Sequence, residues 1–291
     1  MTDFSRPDFD LAGFDLPAFV RATLDEDMGL GLPGGGHDVT SESVIPADAM
    51  FTGVMDSRDA ITVAGLPVAA AFFRALDPDM TIEVLVDEGA RVPAGTDLMR
   101  LSGKARAMLT AERSALNTVQ HLSGIATLTR QYVDAMQGNA TLLDTRKTIP
   151  GLRHLEKYAV RMGGGQNHRM GLWDAAMIKD NHVAVAGGVT EAVRRAKDAG
   201  IQWIICEVDR VDQIEAALAG GTSHLLCDNM NPAQLREAVA LVAGRVPIEA
   251  SGGVRLDTIA EIAATGVTYV SVGRLTQSAP AADIGLDFNP L

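Results

Sequence analysis

The feature that most constrains the fold is a recurrent unit: a short apolar strand, a polar or glycine residue at its end, then a helix-like segment. Six such strands end at Asp144, Lys179, Glu207, Asp228, Ser251 and Gly273, at spacings of 35, 28, 21, 23 and 22 residues. Glycines at 200, 220, 244 and 266 are predicted to end the intervening helices. This alternation predicts a parallel (β/α) barrel, and a doubly wound open sheet is the alternative.

The first third of the chain has a different pattern. Helices are predicted at 14–28 and 66–76, and short β-prone segments at 51–56, 60–64, 81–86 and 97–101. Together they predict a small α+β unit over residues 1 to about 105. Residues 106–136 follow as a long helical stretch that we expect to be interrupted near Ser123-Gly124.

Composition limits the class of protein. The net charge of −12 argues against nucleic acid or an anionic membrane as a partner. No apolar run approaches the length of a membrane span, and the opening segment is polar and broken by proline, unlike a secretory leader. With only Cys206 and Cys227, we expect a cytoplasmic protein with reduced, buried thiols.

A cationic segment stands out against that acidic background. Residues 144–182 hold four acids and seven cations, namely Arg146, Lys147, Arg153, Lys157, Arg161, Arg169 and Lys179. A solvated basic face is one interpretation. Arg146 and Lys147, however, directly follow a predicted strand, and Lys179 ends another, so they would be fixed over the barrel mouth. Cations converging there require an anion, which predicts a site for an anionic ligand.

Glycine marks the last two strand ends. Ser251-Gly252-Gly253 follows one strand and Gly273 follows the next, while a further run of three glycines lies at 163–165. Backbone amides freed by glycine can bind a phosphate, and the last two βα loops are its usual place in a barrel. Two ordinary tight turns are the alternative.

Two acids occupy equivalent places on consecutive strands. Glu207 and Asp228 each follow a cysteine, so alternation along the strand would point the acids inward and the cysteines outward. Inward carboxylates could bind ribose hydroxyls or Mg²⁺, or could pair internally with the lysines. The six histidines lack metal-ligand spacing; His121 is expected to be structural, and His168 is the candidate site residue.

The segment DTRKTIPGLRHLEKYAVRMGGGQNHRMGLWDAAMIKDNH, residues 144–182, resembles the core signature of the quinolinate phosphoribosyltransferase family. The resemblance continues through CEVD at 206–209, LCDNM at 226–230, EASGGV at 249–254 and SVG at 271–273. Upstream, LTAERSALNTVQHLSGIAT at 109–127 and the EDMG and DVTSESVIP segments also fit. It thus covers essentially the whole chain.

The resemblance implies a fold and an assembly. A small N-terminal α/β sandwich domain over residues 1–120, rejoined by 276–291, would precede an incomplete TIM-like α/β barrel over 121–275. Members form dimers or larger assemblies, including hexamers, with active sites at subunit interfaces. Arg113 would then reach the neighbouring subunit's site.

The resemblance also implies a reaction and its residues. Phosphoribosyl would pass from 5-phosphoribosyl-1-pyrophosphate to quinolinate with decarboxylation, giving nicotinate mononucleotide for NAD synthesis, with Mg²⁺ as cofactor. Arg113, Arg146 and Arg169 would bind the two carboxylates, with His168, Lys147 and Lys179 as further substrate and pyrophosphate contacts. Glu207 and Asp228 would hold the ribose hydroxyls and Mg²⁺. The 5-phosphate would lie on Ser251, Gly252, Gly253 and Gly273. Lys147, Lys179, Glu207 and Asp228 are the expected catalytic residues.

The chain departs from the family pattern at two places. A glycine-rich segment, residues 29–37, intervenes between the EDMG and DVTS motifs, and Arg274 and Gln277 stand where relatives commonly have alanine and histidine. Three other functions remain open: the molybdenum-transport-associated branch of the superfamily, which tends to lack a lysine at position 179; an aldolase with Lys179 as its Schiff-base amine; and a non-catalytic phosphosugar sensor.

Overall fold

The structure is a computed structural model that describes residue 11 and residues 13–137 and 139–290. The polar opening segment of the chain, on which the expectation about a leader depends, lies largely outside these residues. The chain divides into two compact units: unit 1 holds residues up to 128, 154–164 and 279 onward, and unit 2 holds residues 129–153 and 165–278. Within the described residues, no helix has the length and apolar character needed to cross a membrane.

Helices and strands are numbered in chain order. The helices of the described chain are α1 (Leu16–Asp27), α2 (Val39–Val44), α3 (Leu66–Leu76), α4 (Ala105–Ala135), α5 (Arg153–Met162), α6 (Asp180–Ala186), α7 (Val189–Asp198), α8 (Ile214–Gly220), α9 (Pro232–Val242), α10 (Ile259–Ala263) and α11 (Arg274–Gln277). The strands are β1 (Met50–Ser57), β2 (Ile61–Thr62), β3 (Thr81–Val84), β4 (Arg91–Val92), β5 (Thr96–Lys104), β6 (Thr141–Leu143), β7 (Ala176–Ile178), β8 (Ile204–Val208), β9 (His224–Asp228), β10 (Ile248–Ser251), β11 (Tyr269–Ser271) and β12 (Ile284–Pro290).

Unit 1 is built on an antiparallel sheet of order β12-β1-β5-β3, beside the short pair β2-β4. β12, from the end of the chain, pairs with β1 from Phe51 opposite Pro290 to Ser57 opposite Ile284. Helix α3 is apolar on nearly every face and buries Phe72 and Phe73 completely. Burial of such large side chains is worth roughly 1.5–3 kcal/mol each, so α3 is central to this core.

The expected break in the long helix is wrong, because α4 runs without interruption from Ala105 to Ala135. The Ser123 hydroxyl donates to the carbonyl of Ala64 and accepts its N–H. A Cβ on Gly124 would overlap the carbonyl oxygen of Pro280. These small residues therefore permit close packing of neighbouring backbone against the helix, which a sequence pattern cannot distinguish from a break.

Unit 2 contains a six-stranded sheet of order β6-β11-β10-β9-β8-β7, with parallel pairing throughout. Pairing of the first strand, β6, with the last, β11, closes one side as in a barrel and excludes the doubly wound alternative. On the other side of β6, Leu143 forms a parallel bridge with Gln166, and no described strand links this bridge to β7. The predicted incomplete α/β barrel is confirmed.

Helix α8 ends at Gly220, as expected, with Gly221 at φ +92° as its cap, and a Cβ on Gly220 would be 2.8 Å from Val193 Cβ. One detail differs from the sequence expectation. The segment 154–164, expected within the barrel over 121–275, groups with unit 1. Helix α5 has a strongly amphipathic sequence, and its buried Tyr158 donates a hydrogen bond to Glu88 of that unit.

A candidate phosphosugar site at the strand ends of unit 2

The carboxyl ends of the parallel strands surround a cleft of about 720 Å³, formed by residues of unit 2. Residues two positions apart, on a strand or just beyond its end, face the cleft, because a strand sends alternate residues to one side. These pairs are Met177 and Lys179, Leu226 and Asp228, Glu249 and Ser251, and Ser271 and Gly273. The first residue of each pair is the more buried and forms the floor of the cleft, and the second forms its rim.

Four of the seven cations predicted from the 144–182 segment line the cleft, namely Arg146, Lys147, Arg169 and Lys179. Arg169 donates to the carbonyl of Ala175 at 3.0 Å, which holds its guanidinium. Burial, together with the charge of Arg146, lowers the pKa of Arg169. The Nε of Arg146 is buried without a hydrogen-bond partner among the described residues. Two neighbouring guanidiniums with unused donors favour a bound anion.

The other three cations serve structure. Arg153 donates to the Thr148 hydroxyl and to the carbonyl of Met170 within unit 2. Lys157 and Arg161 belong to α5 in unit 1, where Lys157 is fully buried and Arg161 lies over the ring of Tyr158. The segment therefore does not form a solvated basic face. Four of its cations line the cleft, and the other three make structural contacts.

Both predicted acids reach the cleft. Glu207 contacts the ammonium of Lys179, which realises the internal ion pair considered from the sequence. Asp228 accepts a hydrogen bond of 2.7 Å from the side chain of Asn229. Cys206 and Cys227 are fully buried on the opposite face and are free thiols, as the strand alternation predicts.

The two glycine-bearing loops border the same cleft. Gly252 has φ +85°, and a Cβ there would overlap Asn229 Oδ1. The backbone N–H of Asn229 donates to the carbonyl of Ser251 at 2.8 Å, so the β9 and β10 loops form one unit. Gly273 leaves room for Lys147, whose Cδ would be 2.8 Å from a Cβ at that position. The glycines at 163–165 are not among the residues that form the cleft.

His168 also borders the cleft, almost completely buried. Its backbone N–H donates to Asp144 Oδ1 at 2.8 Å, and Asn167 donates to Asp144 Oδ2 at 2.6 Å. Its Nε2 lies 3.1 Å from Glu249 Oε2. His121 instead bonds Glu156 in unit 1 at 2.9 Å, in keeping with its expected structural role.

Among the charged residues that line the cleft, sequence reasoning did not single out Glu249 or Arg255, and it gave Asp144 no supporting role. Glu249 could have been found, because it lies two residues before Ser251 on the same strand face. Arg274 and Gln277 stand out in the sequence only as departures from the family pattern. Both are exposed at the rim, and no ion pair or hydrogen bond joins the Arg274 side chain to another described residue.

Arg113 lies elsewhere in the chain. It is an exposed residue of α4 in unit 1, whereas the cleft is formed by residues of unit 2. The expectation that Arg113 acts in a neighbouring subunit's site therefore stays a prediction.

Comparison with known proteins agrees with this geometry. Residues 38–123 match the model of the quinolinate phosphoribosyl transferase N-terminal domain, and residues 125–287 match that of its C-terminal domain. A nicotinate-nucleotide pyrophosphorylase [carboxylating] of Mycobacterium leprae is 44% identical over 276 residues, covering 92% of this chain and 95% of that protein. Quinolinate phosphoribosyltransferase [decarboxylating] 1b of Nicotiana tabacum is 39% identical, over 94% and 82% of the two chains.

Solved structures show the same relationship. The crystal structure of NadC from Streptococcus pyogenes superposes with a TM-score of 0.90 at 35% identity, covering 95% of this chain and 97% of that one. The nicotinate-nucleotide pyrophosphorylase of Francisella tularensis gives a TM-score of 0.88 at 37% identity, covering 94% and 96%. This chain belongs to the quinolinate phosphoribosyltransferase family.

Proposed function

We propose that the protein transfers phosphoribosyl from 5-phosphoribosyl-1-pyrophosphate to quinolinate with loss of CO2, forming nicotinate mononucleotide and pyrophosphate for NAD synthesis. The observation that carries this proposal is that four of the predicted cations, both predicted acids and the two glycine-bearing loops line one cleft. Both substrates are polyanions that also carry either ribose hydroxyls or an aromatic ring. The cleft supplies donors for the anions and acceptors for the hydroxyls.

Arg146 and Arg169 are suited to the two quinolinate carboxylates, because a guanidinium binds a carboxylate through two parallel hydrogen bonds. Burial first, and then the charge of Arg146, lowers the pKa of Arg169, which shows that the two guanidiniums repel each other. A dianion relieves that repulsion. Arg113 of a second subunit would complete the clamp, which supports a homo-oligomer, a dimer or a hexamer, with shared sites.

Glu207 and Asp228 would accept hydrogen bonds from the ribose hydroxyls, and the loops at Ser251–Gly253 and Gly273 would donate backbone N–H groups to the 5-phosphate. Lys179 would leave Glu207 for the pyrophosphate as substrate enters. Lys147, whose stem lies over Gly273, would approach the same anion. These contacts would hold the sugar C1 opposite the pyridine nitrogen.

The chemistry then needs positioning and charge stabilisation more than a nucleophile from the protein. The C1–oxygen bond breaks with its electron pair leaving on pyrophosphate, where Lys147 and Lys179 stabilise the negative charge. The pyridine nitrogen donates its pair to C1. Loss of CO2 leaves the electron pair on C2 of the pyridinium ring, and a proton from solvent completes the product.

Mg²⁺ is the expected cofactor, and the residues fit one mode of binding it. The described residues hold no group of three or more His, Cys, Asp or Glu side chains suited to a metal ion. Mg²⁺ commonly uses one or two carboxylates together with substrate phosphates. Glu207 and Asp228 would be those carboxylates, and Mg²⁺ bound with the pyrophosphate would neutralise part of its charge.

One assay tests the proposal. The purified protein is incubated with quinolinate, phosphoribosyl pyrophosphate and Mg²⁺, and nicotinate mononucleotide and labelled CO2 are measured. Formation of both in equal amounts supports it. Tight phosphosugar binding without product would indicate the sensor, and borohydride trapping of a carbonyl substrate on Lys179 would indicate the aldolase. We further propose a cytoplasmic location, which fractionation of expressing cells would test.

A further inference from the structure

Glu249 is a fully buried carboxylate at the floor of the cleft, and no step of the proposed reaction uses it. Its Oε2 lies 3.1 Å from His168 Nε2 and 2.9 Å from His224 Nε2. Its Oε1 is buried without a partner among the described residues. Two imidazoles therefore provide the hydrogen bonds that the structure gives this carboxylate, and without them its burial would be strongly unfavourable.

The charge of Glu249 fixes which imidazole nitrogens carry protons. Burial alone would raise its pKa, but the hydrogen bonds from His168 and His224 outweigh burial and lower the pKa to about 2. An ionised carboxylate only accepts hydrogen bonds, so both Nε2 atoms must donate. His224 is also held from one side by the ring of Tyr269, stacked at 5.5 Å between centroids.

The other nitrogen of His168 is engaged too. His168 Nδ1 accepts the backbone N–H of Arg169 at 2.8 Å. This bond requires Nδ1 to be unprotonated, which matches the Nε2–H tautomer that Glu249 imposes. Both ring nitrogens of His168 are thus bonded within the protein, which fixes the orientation of the ring at the border of the cleft.

The same short segment is anchored from a second direction. The His168 backbone N–H donates to Asp144 at 2.8 Å, and Asp144 directly precedes the strand-end residues that lead to Arg146. The Arg169 guanidinium is tied to the carbonyl of Ala175. The backbone N–H of Arg169 donates to the His168 ring. That ring is bonded in turn to Glu249, which His224 also contacts.

We propose that Glu249 is a positioning residue: shared between His224 and His168, its carboxylate locks His168 as the Nε2–H tautomer, and His168 thereby fixes the backbone of Arg169 in the substrate cleft. Glu249 does not touch substrate in this arrangement. Its action reaches the anion site through one imidazole. The consequence for catalysis rests on the proposed function, because Arg169 is assigned there to a quinolinate carboxylate.

The first test needs no variant beyond the one used for assignment. Two-bond 1H–15N correlation spectra of the histidine rings, with His168 assigned by its loss in His168→Gln, report each tautomer directly. In its neutral form the His168 ring should be the Nε2–H tautomer. An Nδ1–H tautomer would overturn the proposal, because Nδ1 could not then accept the Arg169 N–H. This readout does not depend on activity.

The second test is kinetic. Glu249→Gln retains the side-chain shape but removes the charge, and we expect the KM for quinolinate to rise about tenfold while the KM for phosphoribosyl pyrophosphate changes less than about twofold. Tyr269→Phe is the matched control, since it keeps the stacked ring beside His224 without altering the carboxylate. The positioning role would be contradicted if the KM for quinolinate were the same in Glu249→Gln and wild type. An equal rise in KM for both substrates would contradict it too. If Glu249→Gln does not fold, the wild-type spectrum decides. Wild type without any turnover would instead refute the proposed function and leave the spectroscopic result standing.

Discussion

The ammonium of Lys179 contacts the carboxylate of Glu207 across the ends of β7 and β8. Glu207 is mostly buried and Lys179 is about half exposed, at 15% and 46% of their side-chain surfaces. The lysine can therefore turn toward an incoming anion, while the carboxylate remains fixed on its strand. Under the proposed function, the pair would hold both charges in the cleft until substrate separates them.

Removing either partner should abolish most of the activity. Lys179→Ala removes a cation from the leaving pyrophosphate, and Glu207→Gln removes an acceptor for ribose, so each should lower kcat/KM by about 100-fold or more. Lys197→Ala, an exposed lysine of α7, is the control and should stay close to wild type. Steady-state kinetics with both substrates measures the effect. A loss of about tenfold or less would place Lys179 outside the reaction.

Arg113 and Lys179 offer a test of shared sites. Arg113→Ala and Lys179→Ala should each be inactive alone. If Arg113 acts in the neighbouring subunit, each mixed dimer has one of its two sites intact. After random exchange of an equimolar mixture, activity should therefore return to roughly a quarter of wild type. Native mass spectrometry verifies the exchange of subunits. Verified exchange with no recovered activity would count against a shared site.

Gly252 should not tolerate a side chain. Its φ of +85° and the overlap of a Cβ with Asn229 Oδ1 are both unfavourable for alanine. Gly200→Ala is a matched control, because Gly200 has φ +84° and a Cβ there meets no described atom within 4 Å. We expect Gly200→Ala to cost about 1 kcal/mol of unfolding free energy, and Gly252→Ala about 2–4 kcal/mol.

The same variant should also affect phosphosugar binding. Because the 252 loop is proposed to bind the 5-phosphate, the KM for phosphoribosyl pyrophosphate should rise in Gly252→Ala and not in Gly200→Ala. Urea denaturation measures the stabilities and steady-state kinetics the KM values. Equal stability losses in the two variants would show that the contact with Asn229 is unimportant.

Arg274 and Arg255 form a natural comparison at the rim of the cleft. Two guanidinium nitrogens of Arg255 donate to Asp257, at 2.9 and 2.7 Å, whereas Arg274 has no such bond within the described chain. Arg274→Ala should raise the KM for phosphoribosyl pyrophosphate about tenfold, and this effect should shrink at high salt. Arg255→Ala should raise the same KM only about twofold. Equal effects would show that Arg274 makes no specific anion contact.

The buried cysteines should be unreactive until the protein unfolds. Burial, then the charge of Glu207, raises the pKa of Cys206 to about 11, and burial, then the charge of Glu249, raises that of Cys227 to about 12. Both thiols should therefore resist alkylation at about pH 9 and react fully in guanidinium. Thiol titration with and without denaturant measures this difference.

The same two shifts determine a pH dependence of stability. Above about pH 9 the unfolded chain releases thiol protons that the folded chain retains, so the free energy of unfolding should fall as the pH rises through the ordinary thiol pKa. Substitution of both cysteines by alanine should remove this alkaline component, as monitored by urea denaturation at several pH values. A wild-type alkaline slope unchanged in that variant would exclude the thiols as its source.

Local sequence was enough to identify the strands of unit 2 and the residues at their ends. Short apolar runs that alternate regularly with helix-like segments favour strands of a parallel sheet, so Lys179, Glu207 and Asp228 could be assigned to the carboxyl ends of neighbouring strands. Alternation along a strand likewise directs the cysteines away from that mouth.

Contacts between segments distant in the chain emerge only in the folded molecule. Folding places α5, with Lys157 and Arg161, in unit 1, and it keeps α4 continuous through Ser123 and Gly124 because neighbouring backbone packs there. It also joins Glu249 to His168 across 81 residues. Local periodicity records which face of an element is buried, but it holds no information about which distant partner fills the space beside that face.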